Sequence, residues 1–172
     1  MNFFSQIWWL CLCGAIALAC GCASEGPSEA GKAVLLDTEP ADAQGIVDTK
    51  NGLLTGLAVG GPSVLVGRVG GGQNETWDPD QAAFLVRDLD LKIESHDHDG
   101  NHDNCKFCQA EKAKELESMA LVRIVDSEGK VIATDARQLL NLQEDQVVVA
   151  QGQASLEDET LIFDATHIHI RP

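Results

Sequence analysis

Apolar residues in the second half of the chain come in short β-branched runs separated by glycine and acidic clusters, the pattern of half-buried strands. "SVLVGRVGG" (63–71) predicts a first strand, and "AAFLVRDL" (82–89) a second, after the loop "GGQNETWDPDQ". "MALVRIVD" (119–126) and "VIATD" (131–135) read as a strand pair around "SEGK", with Gly129 suited to a left-handed turn position. "ARQLLNL" (136–142) is a short helix, with Asp135 as its N-cap and Leu139, Leu140 and Leu142 as its apolar contacts. "VVVAQGQA" (147–154) and "TLIFDATHIHI" (160–170) close the chain as a hairpin around "SLEDE". Further forward the pattern weakens. "AVLLD" (33–37) reads as a short strand or a packing segment, "TEPADAQ" as loop, and "GIVDTKNGLLTGLAVGG" fits no single period. The expected class is mainly β: a small five-stranded barrel with one short helix.

Five strands with a helix between the third and fourth is the arrangement of the OB-fold. "VLVGRVGG" resembles the first OB strand, where a glycine permits a sharp coil. "VVVAQGQASLEDETLIFDATHIHI" resembles its last two strands. The chain is similar, over roughly residues 60–172, to the OB-fold domains of secreted and lipid-anchored bacterial proteins. That resemblance implies a fold and names no ligand, because one fold hosts many functions.

One stretch interrupts the strand pattern. Residues 90–118 lie between the second and third predicted strands, where a plain hairpin needs about 2–5 residues. "HDHDGNHDNCKFC" (96–108) holds three histidines and two cysteines. Cys105 and Cys108 form a C-x-x-C half-site for a tetrahedral ion. The helix suggested by "QAEKAKELESMA" (109–120) would set both sulfurs near its positive end, which favours thiolates. In extended chain His96 and His98 point the same way, and Gly100 permits a turn that brings His102 round. Two of these imidazoles would complete the shell, with Asp97, Asp99 and Asp103 as acceptors for their free N–H groups. Sulfur with imidazole suits one zinc or copper ion. Haem attachment is excluded by Gln109 after Cys108, and an EF-hand by Lys106 at its twelfth position. A thiol–disulfide oxidoreductase using Cys105 and Cys108 is the alternative from another class, though the βαβ setting usual for that motif is missing.

Composition narrows the partners. Net charge is −15 with only 12 Lys and Arg, which argues against nucleic acid and against docking on anionic lipid through a basic patch. From Ile7 to Cys22 the chain is uncharged and small or apolar, short for a bilayer span and fitting the apolar core of a signal peptide. It ends in "ALACGC", which resembles the lipobox of bacterial lipoproteins and makes Cys20 the expected lipidation site, with Cys22 second. The expected organisation is a signal peptide at 1–19, a tether at 20–44, and an OB-like domain at 45–172 carrying the metal-binding insertion 90–118. With Cys11 and Cys13 in the leader, only Cys105 and Cys108 remain in the domain, too few for a disulfide scaffold.

Two further features have plain structural readings. His167 and His169 share one face of the last strand and Ile168 and Ile170 the other, so the isoleucines should face the core. Trp77 reads as a packing residue. The expected function is a non-catalytic, envelope-localised binding module, held on the extracytoplasmic side by lipid and carrying a zinc or copper ion. A ligand- or protein-binding OB domain whose metal only staples a loop is the third reading.

Overall fold

A computed structural model describes residues 26–57, 61–91 and 113–172. The chain is mainly β. Its elements are α1 (Glu29–Val34), α2 (Ile46–Leu54), β1 (Ser63–Val69), β2 (Ala83–Arg87), β3 (Met119–Ile124), α3 (Ala136–Leu140), β4 (Val147–Glu157) and β5 (Thr160–Ile170). The five strands form one mixed sheet that closes on itself in the order β1-β2-β3-β5-β4. All neighbours are antiparallel except β3 and β5, which run parallel from Ala120↔Leu161 to Ile124↔Ala165. A parallel pair cannot be joined by a tight turn. The link from β3 to β5 runs through α3 and β4.

Alternation fills the ring. Phe84 and Val86 of β2, Ala120, Val122 and Ile124 of β3, Val148 and Ala150 of β4, and Leu161, Phe163 and Ala165 of β5 point inward and are buried. Their neighbours Leu85, Arg87, Leu121, Arg123 and Asp164 lie on the outer face and are half-buried. Gly67 allows β1 to press on β2: a Cβ there would sit 3.0 Å from that of Val86. Every member of the core cluster lies between Val34 and Ile168.

Five of the strands predicted from the sequence are present, with shifted ends. The last hairpin is longer than expected. β4 continues to Glu157, through a register shift at Gln151/Gly152. Its turn is only Asp158–Glu159, both with positive φ (46° and 66°). Left-handed central residues match the twist of the flanking strands in a two-residue turn. The segment "VIATD" is not a strand: one bridge, Val125↔Val131, closes the turn, and the chain then bends into α3. Asp126 fastens that turn by accepting the Glu128 and Lys130 N–H groups, and Gly129 takes φ 79°. α3 begins as predicted. Asp135 accepts the Arg137 N–H at 2.8 Å, and Leu139, Leu140 and Leu142 are buried. The Arg137 guanidinium on the Asp135 carboxylate holds that carboxyl below the usual range. Asn141, left-handed at φ 57°, ends the helix two residues earlier than expected.

The chain ahead of the ring, expected as a tether through residue 44, is docked from Ser28 onward. Ser28 caps α1, its Oγ accepting the Gly31 N–H at 3.0 Å, while its own N–H and Oγ–H donate to the Leu139 carbonyl. Gly31 lies on that same carbonyl, so closely that a Cβ would be 1.9 Å from the oxygen. "AVLLD" is therefore the end of α1 and a single bridge, Leu35↔Ile168, rather than a strand. Gln44 pairs with β1 at Leu65, where β2 does not reach, through Gln44 N–H to Val64 and Val66 N–H to Gln44. Two exposed strand edges are thus covered by the preceding segment. Ile46, fully buried, fixes α2 to the core. Among the described residues no helix is long and apolar enough to cross a membrane.

The parallel β3–β5 pair gives the ring two distinct ends. One carries the end of β2, the start of β3 and the β4–β5 turn; the other carries α3 and the docked residues 28–36.

Candidate functional site

The residues predicted to hold a metal, His96, His98, His102, Cys105 and Cys108, lie outside the described residues, as does Cys20. What the structure gives is the frame from which that segment departs. The β2–β3 pairing runs up to Arg87↔Met119. One step beyond, the Asp88 N–H donates to the Ser118 carbonyl at 2.8 Å. The Asp88 carboxylate then accepts the Asp90 N–H and, across the chain, the Val47 N–H that opens α2. On the returning side, residues 113–117 are helical and Ser118, buried, donates its N–H to Lys114 and Glu115. The two roots of the insertion are therefore held on neighbouring strands and buttressed by α2.

His167 and His169 lie opposite the buried Ile168 and the partly buried Ile170, because Thr166, the extra residue at the β4–β5 register shift, flips the parity set by Leu161, Phe163 and Ala165. The His169 Nδ1 is 2.9 Å from the Leu36 carbonyl, so that nitrogen carries the proton and the imidazole helps hold the docked segment. The His167 Nδ1 lies 3.1 Å from the neighbouring Thr166 hydroxyl. Among the described residues no group of three or more His, Cys, Asp or Glu side chains converges on a possible metal position.

A concavity lies on the outer face of β2 and β3, near the β1–β2 loop. It encloses about 550 Å³, with Leu85, Leu121 and Val131 as apolar lining, Glu75 and Asp78 as carboxylates, and Arg123. Each polar group in it is already engaged or negative. Arg123 makes a two-pronged contact with Asp164 at 2.7 and 2.9 Å, with Glu157 at 3.8 Å. The Asp164 hydrogen bonds raise its pKa further and leave it no role as a proton donor. The Asp80 N–H, and then the Gln81 amide, hold the Asp78 carboxyl below the usual carboxylate range. Trp77 is not an open stacking platform. Its ring leans on Phe84 at 5.9 Å between centroids, and the Arg137 guanidinium covers it at 5.5 Å. Among the described residues, the groove therefore has no free cation for a phosphate or a carboxylate ligand and holds no nucleophile–base pair.

Thr76 fixes the loop that walls this groove. Its buried hydroxyl accepts the Gly71 N–H and donates to Glu144, both at 2.9 Å. Thr76→Val keeps the shape and removes both bonds, leaving a buried N–H without a partner. The expected cost is about 1–3 kcal/mol, read from urea unfolding of the chain from Gly26 onward. A cost near zero would mean that solvent reaches Gly71.

Sequence reasoning did not anticipate this groove or the α2 buttress at Asp88. The groove is assembled across the β1–β2 loop, two strands and Val131, none of which carries a local signal. Comparison of the chain with family models, with curated proteins and with solved structures found no match.

Proposed function

We propose that the chain is an exported module, lipid-anchored through Cys20, whose OB-like ring presents a zinc or copper ion on its β2–β3 insertion. The OB-like reading is supported by the closed order β1-β2-β3-β5-β4, the parallel β3–β5 pair and the helix between β3 and β4. The observation that carries the metal reading is the clamped stem: Arg87↔Met119, the Asp88–Ser118 hydrogen bond and the α2 contact hold the insertion's two ends together. Closing a long loop costs entropy. With the ends already joined, fewer degrees of freedom are lost when thiolates and imidazoles gather on one ion. His96, His98, His102, Cys105 and Cys108 supply the donors, and two thiolates offset the charge of a divalent ion. The ion is carried or structural.

Elemental analysis of the chain from Gly26 onward, purified under reducing conditions, tests this. One equivalent of zinc or copper is expected in the parent protein, and none after Cys105→Ser with Cys108→Ser. A double variant that keeps its full metal would remove the thiolate site. Chelation separates carrier from staple: a fold that survives metal loss is expected, because the described core is assembled from the strands and from α1, α2 and α3, outside residues 92–112.

A further inference from the structure

Exposed large apolar side chains are few among the described residues, and they are gathered in one region. Val47 (40% exposed), Leu54 (67%) and Leu57 (87%) lie on α2 and just past its end, and Leu116 (54%) lies on the helical turn before β3. α2 carries apolar residues on two faces. Ile46, Thr49 and Leu53 turn inward. Val47 and Leu54, two turns apart with polar Asn51 between them, make a second, narrower stripe on the outside. A helix that only covers the ring has no use for the second stripe, and scattered single leucines would need no explanation. Between this stripe and the β4–β5 turn lies a groove of about 310 Å³, lined by Val47, Lys50, Asn51, Leu54, Glu117 and Glu159.

The groove's charge selects its occupant. Among the described lining residues, Glu117 and Glu159 stand against one cation, Lys50, and the turn adds Asp158 beside Glu159. The whole chain is at −15, so a second copy of the same acidic surface meets like charge here. We propose that this groove docks a basic amphipathic helix of a partner protein. The helix would lay leucine-like side chains along Val47 and Leu54 and set lysine or arginine against Glu117 and Glu159. Its position at the insertion end of the ring, opposite the docked residues 28–36, keeps it clear of the N-terminal attachment.

The test uses the chain from Gly26 onward, which contains every core residue described here. The probe is a short fluorescent helix of leucine and lysine, with a permuted peptide of equal composition that cannot form an apolar face. Binding is read by anisotropy. The amphipathic peptide should bind at least about tenfold more tightly than the permuted one, a difference of about 1.4 kcal/mol. Leu54→Asp, at an exposed position, should remove most of that preference while leaving the unfolding curve unchanged. Glu117→Gln with Glu159→Gln should weaken binding and flatten its salt dependence. Equal affinity for the two peptides, or indifference to Leu54→Asp, overturns the proposal. Self-association that Leu54→Asp abolishes would give the face to a second copy and also overturn it. So would binding that develops only after deletion of residues 92–112, which would assign the groove to this chain's own insertion.

Discussion

Phe163→Ala is expected to lower stability by about 3–5 kcal/mol, the range for truncating a fully buried aromatic ring. Phe163 is fully buried at the middle of β5, beside Val122 on β3 and Ala154 on β4. Removing the ring forfeits its transfer free energy and leaves a cavity. Collapse would normally recover part of that cost. Here the strands on both sides are hydrogen-bonded into a closed sheet, so neither can move inward alone. Phe163→Leu, which nearly keeps the volume, should cost only about 1–1.5 kcal/mol. Urea unfolding of the two variants checks both values, and a loss under about 1 kcal/mol for the alanine would mean that the centre is not close-packed.

Gly152→Ala should cost about 3 kcal/mol or more, the upper range for forcing extra atoms into a packed site. The added Cβ would lie 2.0 Å from the Asp164 carbonyl oxygen and 2.8 Å from the Ala165 Cα. Both obstacles are backbone, and no side chain can swing aside. β4 and β5 must separate where the register shifts between Gln151 and Gly152, and Gly152 is what lets β4 lie against the β5 backbone beside the extra residue Thr166. Gly129→Ala is the matched control. Gly129 has φ 79° but open space around it, so its cost is backbone strain alone, about 1–2 kcal/mol. Thermal unfolding of the pair should place Gly152→Ala clearly below Gly129→Ala. The reverse order would mean that β4 and β5 are less closely apposed than described.

Much of the fold was legible because its signals are local. Alternation in "MALVRI" assigns inward and outward residues, in "TLIFDATHIHI" it does so only on either side of the unpaired Thr166, and Asp135 before "ARQLL" marks a helix start. α1 was missed although Ser28, followed by Glu29 and then Lys32, carries a helix-start signal. Six residues of small and polar type hide it, and docking on the Leu139 carbonyl is what stabilises so short a helix. α2 was ambiguous because Thr49, Asn51 and Gly52 are poor helix formers, and burial of Ile46 and Thr49 decides its conformation. "VIATD" has strand composition, yet Asp135 at its end is committed to capping α3. For the candidate site, spacing named donors of the right chemistry in His96, His98, His102, Cys105 and Cys108. Convergence on one point is a tertiary property that no spacing encodes. The clamp at Asp88, Ser118 and Val47 joins residues far apart in sequence and had no local trace.

The most direct measurement of the central claim is X-ray absorption at the edge of the ion bound to the purified protein. The account predicts a four-coordinate shell with two sulfurs at about 2.3 Å and two imidazole nitrogens at about 2.0–2.1 Å, for zinc. A shell made only of nitrogen and oxygen would contradict it, because Cys105 and Cys108 would then take no part in holding the ion.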